Sequence, residues 1–377
     1  MSINSRPRVL PDSCVRVVRK IKGSGQLSVS KNQEISPHDV IGSSLINPGF
    51  VIINLAKELG VSPDTAISCL KKTSGIPIYK GELLARKKTL FKDHTVLSPT
   101  DCMIEKINLS TGELTLKMLP KQTPLLSGVF GIVDEINPLT GEVYIKTMAT
   151  QIVGLYGSGR ERGGFIRIIN DASGLTDIQQ ITPNLKGDIV VAGGLIFDQA
   201  IKKAMEYQLD GLISGGINFD DYLSIAGSYY FQKQTHSDIG LSLVATEGFG
   251  PLPLGNDIFT ILKNSEGKFA FIDGFNNHIT LPQSSADSVL KARKVALPPL
   301  LNRQKDYHDQ ISIKPPSNGD LVRVIWPPFA GSQGKIVSID QTPTILPSGI
   351  SSICAVVELP SRKQKYPISN LELLENR

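Results

Sequence analysis

Three glycine-marked strand ends are the places in this chain where residue type and spacing best suit chemistry. Gly193-Gly194 closes the apolar run Ile189–Ala192, Gly215-Gly216 sits inside Leu212–Ile217, and Thr246-Glu247-Gly248 follows Leu241–Ala245. Glycine lets a backbone come close to a ligand, and a helix N-terminus beside it offers N–H groups to an anion. Gly193, Gly194, Gly215, Gly216, Thr246, Glu247 and Gly248 are therefore the candidate site for a small anionic ligand, the competing reading being ordinary tight turns. Glu247 is the one carboxylate to test as a general base. No GxGxxG follows the first of these runs and no Walker lysine is present, while His236 and His278 are not spaced to pair with a nucleophile. No catalytic residue is assigned on this pattern. Cys14, Cys69, Cys102 and Cys354 lie far apart with no CxxC, which argues against a metal site and against a disulfide framework. A second glycine run, Gly154 to Gly164, carries Arg160 and Arg162, which could meet a phosphate or belong to a mobile inter-domain hairpin.

The elements that must position those glycines alternate. Gly187–Gly194 reads as strand and turn, Phe197–Tyr207 as a helix with Ile201, Ala204 and Met205 inward, and Leu212–Ile217 as a strand. A helix near Asp220–Ala226, a strand over Leu241–Gly250, a helix over Asn256–Asn264 and a strand over Phe269–Ile272 complete the series. Buried strands alternating with helices predict a central parallel, Rossmann-like α/β sheet over 171–282, with its ligand crevice at the carboxyl ends of the strands. Residues 123–170 read as a further β region, and 283–316 as a polar linker punctuated by Pro298-Pro299 and Pro315-Pro316, with room for one short helix at Ala286–Lys294.

Residues 1–122 read as short alternating strands. Within them, Lys80-Gly81-Glu82-Leu83-Leu84-Ala85 and Leu97-Ser98-Pro99-Thr100-Asp101-Cys102-Met103-Ile104 flank a basic stretch, and Glu34 to Gly42 supplies a matching first half. This pattern resembles a lipoyl/biotinyl-like barrel-sandwich hybrid. Cys102 stands where that family has glycine, and no carrier sequence surrounds Lys87, Lys88 or Lys92, so the resemblance implies a structural relative with no cofactor. A helical insertion over 53–72 follows from Gly60 as a stop, Ser62 as a cap and Pro63 in the first turn of a second helix. Its sequence resembles helix-turn-helix domains and the small N-terminal domain of bacterial translation initiation factor two. Pro63, Asp64, Thr65 and Ala66 are poor base-reading residues, so a bracing helical hairpin is the expectation.

From Asn318 to Asp340 the chain alternates apolar and polar residues at period two on both sides of a Pro-Phe-Ala-Gly turn, and Ala355–Leu359, Lys365–Ile368 and Asn370–Leu374 supply later strands. This run resembles the KOW motif of NusG-type elongation factors and ribosomal proteins, with Gly334 as the glycine beside the strand. The resemblance implies an SH3-like barrel over 317–377 and contact with RNA, ribosomal or transcription-complex proteins. Arg323, Lys335, Trp326 and Phe329 would face such a partner.

Charge directs the first encounter elsewhere. Residues 1–122 hold 18 Lys+Arg against 10 Asp+Glu, residues 123–314 hold 16 against 20, and the remainder 6 against 5. Arg86, Lys87 and Lys88 lead the N-terminal excess and are the candidate polyanion contacts. No stretch approaches the roughly 20 apolar residues of a membrane span, and the polar start lacks a signal-like apolar run. The expectation is a cytoplasmic multi-domain adaptor associated with RNA. An α/β small-molecule-binding protein or enzyme with accessory β domains, and a protein–protein assembly factor, are the rival readings.

Overall fold

The structure, a computed structural model, describes residues 3–5, 7–21, 23–46, 49–88, 93–226, 238–297 and 312–374. Lys92, His236 and the Pro298-Pro299 pair lie outside them.

The strand and helix signals of the 187–274 stretch become Ile189–Val191, Asp198–Glu206, Gly211–Ile217, Phe219–Ala226, Ser242–Phe249, Asn256–Lys263 and Phe269–Asp273. Their assembly corrects the expected fold class. The described residues show no central Rossmann-like α/β domain: the protein is mostly β, 46% strand against 14% helical, and these strands are part of a thirteen-stranded mixed sheet. Pairing is parallel from Ser242–Phe249 through Gly211–Ile217 and Ile189–Val191 to Arg162–Ile168. Beyond that it turns antiparallel, through Phe269–Asp273, His278–Pro282, Glu142–Val153, Gly131–Asn137 and Glu34–Ile35. The long strand Val9–Lys20 pairs antiparallel with Glu142–Val153. Periodicity announces that Phe269–Asp273 is a strand, but its direction depends on the neighbour it finds, and that neighbour is Arg162–Ile168 from the glycine run.

Alternate residues on the parallel strands enter two cores. Val190, Leu212 and Leu243 meet Ala200, Ile201 and Ala204 of the helix Asp198–Glu206, while Ile189, Ile213 and Val244 meet Ile258 and Leu262 of the helix Asn256–Lys263. Both faces are therefore covered, as continuous apolar runs require.

Residues 50–118 form a smaller module. Strands Phe50–Asn54, Glu113–Met118 and Cys102–Asn108 pair antiparallel, a hairpin joins Leu83–Lys87 to His94–Leu97, and the helices Leu55–Leu59 and Pro63–Ser68 close its core. The Asn54 side chain caps the first helix by accepting from the Lys57 N–H at 2.9 Å, and Gly60 ends it at φ 61°. Ser62 stands at the second N-cap without a capping bond from its side chain; its hydroxyl meets that of Thr65 instead.

The terminal sheet has seven strands and takes in residues from far away. Leu321–Val324, Gln333–Ile339, Cys354–Leu359, Arg362–Pro367 and Leu371–Leu373 are joined by Ile3–Ser5 and Ser312–Lys314. Ile3 is 4% exposed within that core. The sheet thus needs the first residues of the chain as well as the last.

Candidate functional site

At the carboxyl ends of the parallel strands the space expected for a ligand is filled by the chain itself. A Cβ on Gly193 would lie 2.6 Å from the Gly174 carbonyl oxygen, one on Gly215 2.0 Å from that of Leu252, and one on Gly216 1.9 Å from that of Gly250. Gly194 faces the Ser173 backbone at 3.2 Å. Gly248 has φ 132° and only side-chain atoms of Leu252 and Leu155 near it. Thr246 is fully buried and its carbonyl accepts from the Arg8 guanidinium. Backbone does approach these glycines closely, but it belongs to the loops 171–174 and 250–254.

Glu247 has a structural post. Arg323 holds it in a fork, Nη2 donating to Oε1 at 2.8 Å and Nη1 to Oε2 at 3.1 Å, while Arg8 Nη2 donates to Oε2 at 3.2 Å. The Gly255 N–H adds a bond at 3.1 Å. Arg323 also grips Asp257, its Nε 2.8 Å from Oδ2 and Nη2 3.0 Å from Oδ1, and approaches Glu372 at 3.7 Å. These five charged side chains come from the approach to the long first strand, the parallel region and the terminal sheet, and they pin the three together. Beside them the Asn256 N–H donates to the Ala330 carbonyl at 3.0 Å, and Gly331 lies against Gly255.

Burial by itself would raise the Glu247 carboxyl, yet Arg8 and Arg323 outweigh it and hold it below the ordinary carboxylate value. A base so depressed is a weak proton acceptor, so Glu247 is ill-suited to general-base work. A folded pKa below the unfolded one contributes stability above the unfolded value, near 4.3. That contribution disappears as pH falls through the folded pKa. Acid titration followed by near-ultraviolet circular dichroism should therefore show tertiary signal lost below about pH 4.3, and Glu247→Gln should flatten that limb.

The terminal candidates separate. Arg323 is 0% exposed and cannot reach a partner. Trp326 is 56% exposed. Phe329 packs against the terminal core and carries the Arg362 guanidinium 3.7 Å above its ring. Lys335 is exposed. Lys363 and Lys365 are neutralised by Glu358 at 3.0 Å and Asp340 at 2.7 Å.

On the small module the Leu70–Ala85 bridge lays residues 69–71 beside 84–86, so Lys71 and Lys72 share an edge with Arg86, Lys87 and Lys88. Lys72 pairs with Glu82 and Arg86 with Asp93. Lys71, Lys87 and Lys88 have no ion pair among the described residues.

Sequence reasoning named two residues of a cleft, Arg160 and Arg162, without the cleft itself. A cavity of about 1390 Å³ opens between Val18–Ile21, Glu142 and Tyr144, the glycine run at Arg160–Gly163, Asp210, and the turn Asp273–Asn276. The glycine run is a pair of strands here, Tyr156–Ser158 on Ser242–Phe249 and Arg162–Ile168 in the sheet. Arg160 and Arg162 both pair with Asp238, and Lys20 pairs with Glu142 at 2.9 Å. The paired arginines were a visible signal; the residue beneath them, Arg19, was not. Among the described residues no group of His, Cys, Asp and Glu is arranged to hold a metal ion. No protein-family model and no curated protein matches this chain.

Proposed function

We propose that this chain is a multi-module adaptor that engages RNA through the basic edge of its small module. The observation that carries this reading is the grouping on one edge of Lys71, Lys87 and Lys88, which have no ion pair among the described residues, whereas Arg16, Lys20, Lys72, Arg86 and Lys117 are neutralised by carboxylates. An ion-paired cation gains little from a phosphate because it must leave its partner, whereas an unpaired one releases counterions on contact. The terminal sheet adds the exposed Trp326 as a stacking surface, in the segment whose alternation resembles the KOW motif. Contact with ribosomal or transcription-complex proteins belongs to the same proposal.

Filter binding of a mixed-sequence single-stranded RNA at several salt concentrations tests it. Each phosphate lost should reduce the log–log salt slope by about 0.7, so the triple reversal Lys71→Glu, Lys87→Glu and Lys88→Glu should make it shallower by about two and weaken binding more than about tenfold at low salt. Lys363→Glu, already neutralised in place, should change little. Binding flat with salt, or lost only on Trp326→Ala, would overturn this assignment of the contact edge.

A further inference from the structure

The cleft beside the glycine run holds one cation whose surroundings are unlike those of its neighbours. Lys20, Arg160 and Arg162 each have a carboxylate at ion-pair distance. Arg19 has none within that distance among the described residues; its Nε donates to the Leu126 carbonyl oxygen at 3.0 Å. Its guanidinium lies 4.9 Å from the centre of the Phe269 ring and 5.9 Å from that of Phe271. Burial pulls its pKa down to about 10, against the more distant pull of Asp210 and Glu161, so it stays charged at neutral pH without a counter-ion in contact. Arg19 is half-buried, so an anion entering the cleft can reach its guanidinium, and a charge-assisted pair there meets no competing carboxylate in contact among the described residues.

The strand pairing explains why Arg19 can sit there. Arg19 opposes Val143 in the long ladder, and Gly163 lies across from it. A Cβ on Gly163 would fall 2.7 Å from Arg19 Nη1 and 2.9 Å from the Phe269 ring. The bare glycine makes the slot into which the guanidinium fits. Arg160, 58% exposed at the rim, and Arg162 carry further donors on the same side.

We propose that this cleft is a binding site for a small organic anion, its phosphate or carboxylate head seated on Arg19. The size and the remaining charges specify the rest of the ligand. A volume of about 1390 Å³ exceeds what a bare inorganic ion fills. Glu142, Glu161, Asp210 and Asp273 also line it, so a polyphosphate is repelled, while hydroxyl or amino groups on the ligand body find acceptors. The ligand class is therefore a polyol or amino compound with a single anionic head, a sugar monophosphate or a hydroxy acid. This site is separate from the basic edge of the small module and does not depend on RNA binding.

Isothermal titration of the full chain with ribose 5-phosphate, gluconate and ribose tests the inference. At least one of the two anions should bind at least about tenfold tighter than neutral ribose, and the preferred one distinguishes a phosphate from a carboxylate head. Arg19→Gln should weaken that binding by about tenfold or more, as removal of a charge-assisted pair does. Gly163→Ala should weaken it too, by displacing the guanidinium and leaving its charge intact. Arg160→Gln, at the exposed rim, covers the case in which Arg19→Gln fails to fold; it should cost about threefold. Lys363→Glu, on the terminal sheet, should bind as the unaltered chain does. Failure of both anions to bind below about 10 mM, a regime of negligible affinity, overturns the proposal. So does equal binding by Arg19→Gln, or by Arg160→Gln should the former not fold.

Discussion

Arg323→Met should destabilise the protein by about 3–5 kcal/mol, the cost of removing one partner from a buried ion cluster. Arg323 is completely buried and its three nitrogens serve Glu247 and Asp257 with four hydrogen bonds of 2.8–3.1 Å. Methionine fills much of the same volume, so the loss reports charge rather than a cavity. Glu247 and the nearby Glu372 would then share Arg8 alone, and Asp257 would lose its guanidinium partner. Arg8 is poorly placed to take over, since it reaches Glu247 with one nitrogen at 3.2 Å and stays 3.8 Å from Glu372. The expected result is a lower urea midpoint together with faster proteolytic release of the terminal sheet, because Arg323 is its main polar attachment to the parallel region. Pairing the change with Glu247→Leu should recover part of the loss, since an apolar replacement of a whole buried pair is often neutral. A loss under about 1 kcal/mol, typical of an exposed pair, would show that these charges are solvated in solution.

Gly216→Ala should cost about 3 kcal/mol or more, the upper end of overpacking in a dense core. The added Cβ would lie 1.9 Å from the Gly250 carbonyl oxygen and 3.1 Å from the Leu252 nitrogen. Both are backbone atoms, so no rotamer change relieves the overlap. The two chains are also tied in place, Gly216 N–H donating to the Gly194 carbonyl at 2.9 Å and Gly250 N–H to that of Ile217 at 2.9 Å. Two residues away on the same strand, Ser214→Ala should be neutral or mildly stabilising. The Ser214 hydroxyl is buried without a hydrogen-bond partner among the described residues, so its removal ends a desolvation penalty. Thermal unfolding of the two variants side by side separates a glycine required by backbone contact from one required by a ligand. If Gly216→Ala melts with the unaltered chain, the loop 250–254 does not cover the strand ends.

Much of the local structure is legible from residue order. The period-two run about Gly334, the apolar runs at Ile189, Leu212 and Leu243, and the Gly60–Pro63 punctuation each set an element through contacts between near neighbours, and each element forms close to where those residues call for it. The lysine excess of the first 122 residues is likewise a property of composition. What residue order leaves open is who pairs with whom. Glycines after strands read as room for a ligand, but the room is taken by carbonyls from loops up to 37 residues further on, as with Gly215 and Leu252. Arg323 sits in an alternating strand and reads as a solvent-facing basic residue. It is buried because Glu247 and Asp257, 76 and 66 residues away, converge on it. Whether a strand joins its neighbour parallel or antiparallel depends on chain paths, which is why an alternating strand–helix phrase ended in a mixed sheet. The same holds for Ile3–Ser5, too short to read as a strand and completed only by Leu371–Leu373 and Ser312–Lys314 at the other end of the chain. Arg19 is the sharpest case: one arginine in a β-run says nothing, and its meaning arises when the Phe269 ring comes to lie under its guanidinium and Gly163 leaves it space. Charge and periodicity are carried by single residues and their neighbours, whereas burial, pairing and an uncompensated cation exist only between segments that tertiary folding brings together.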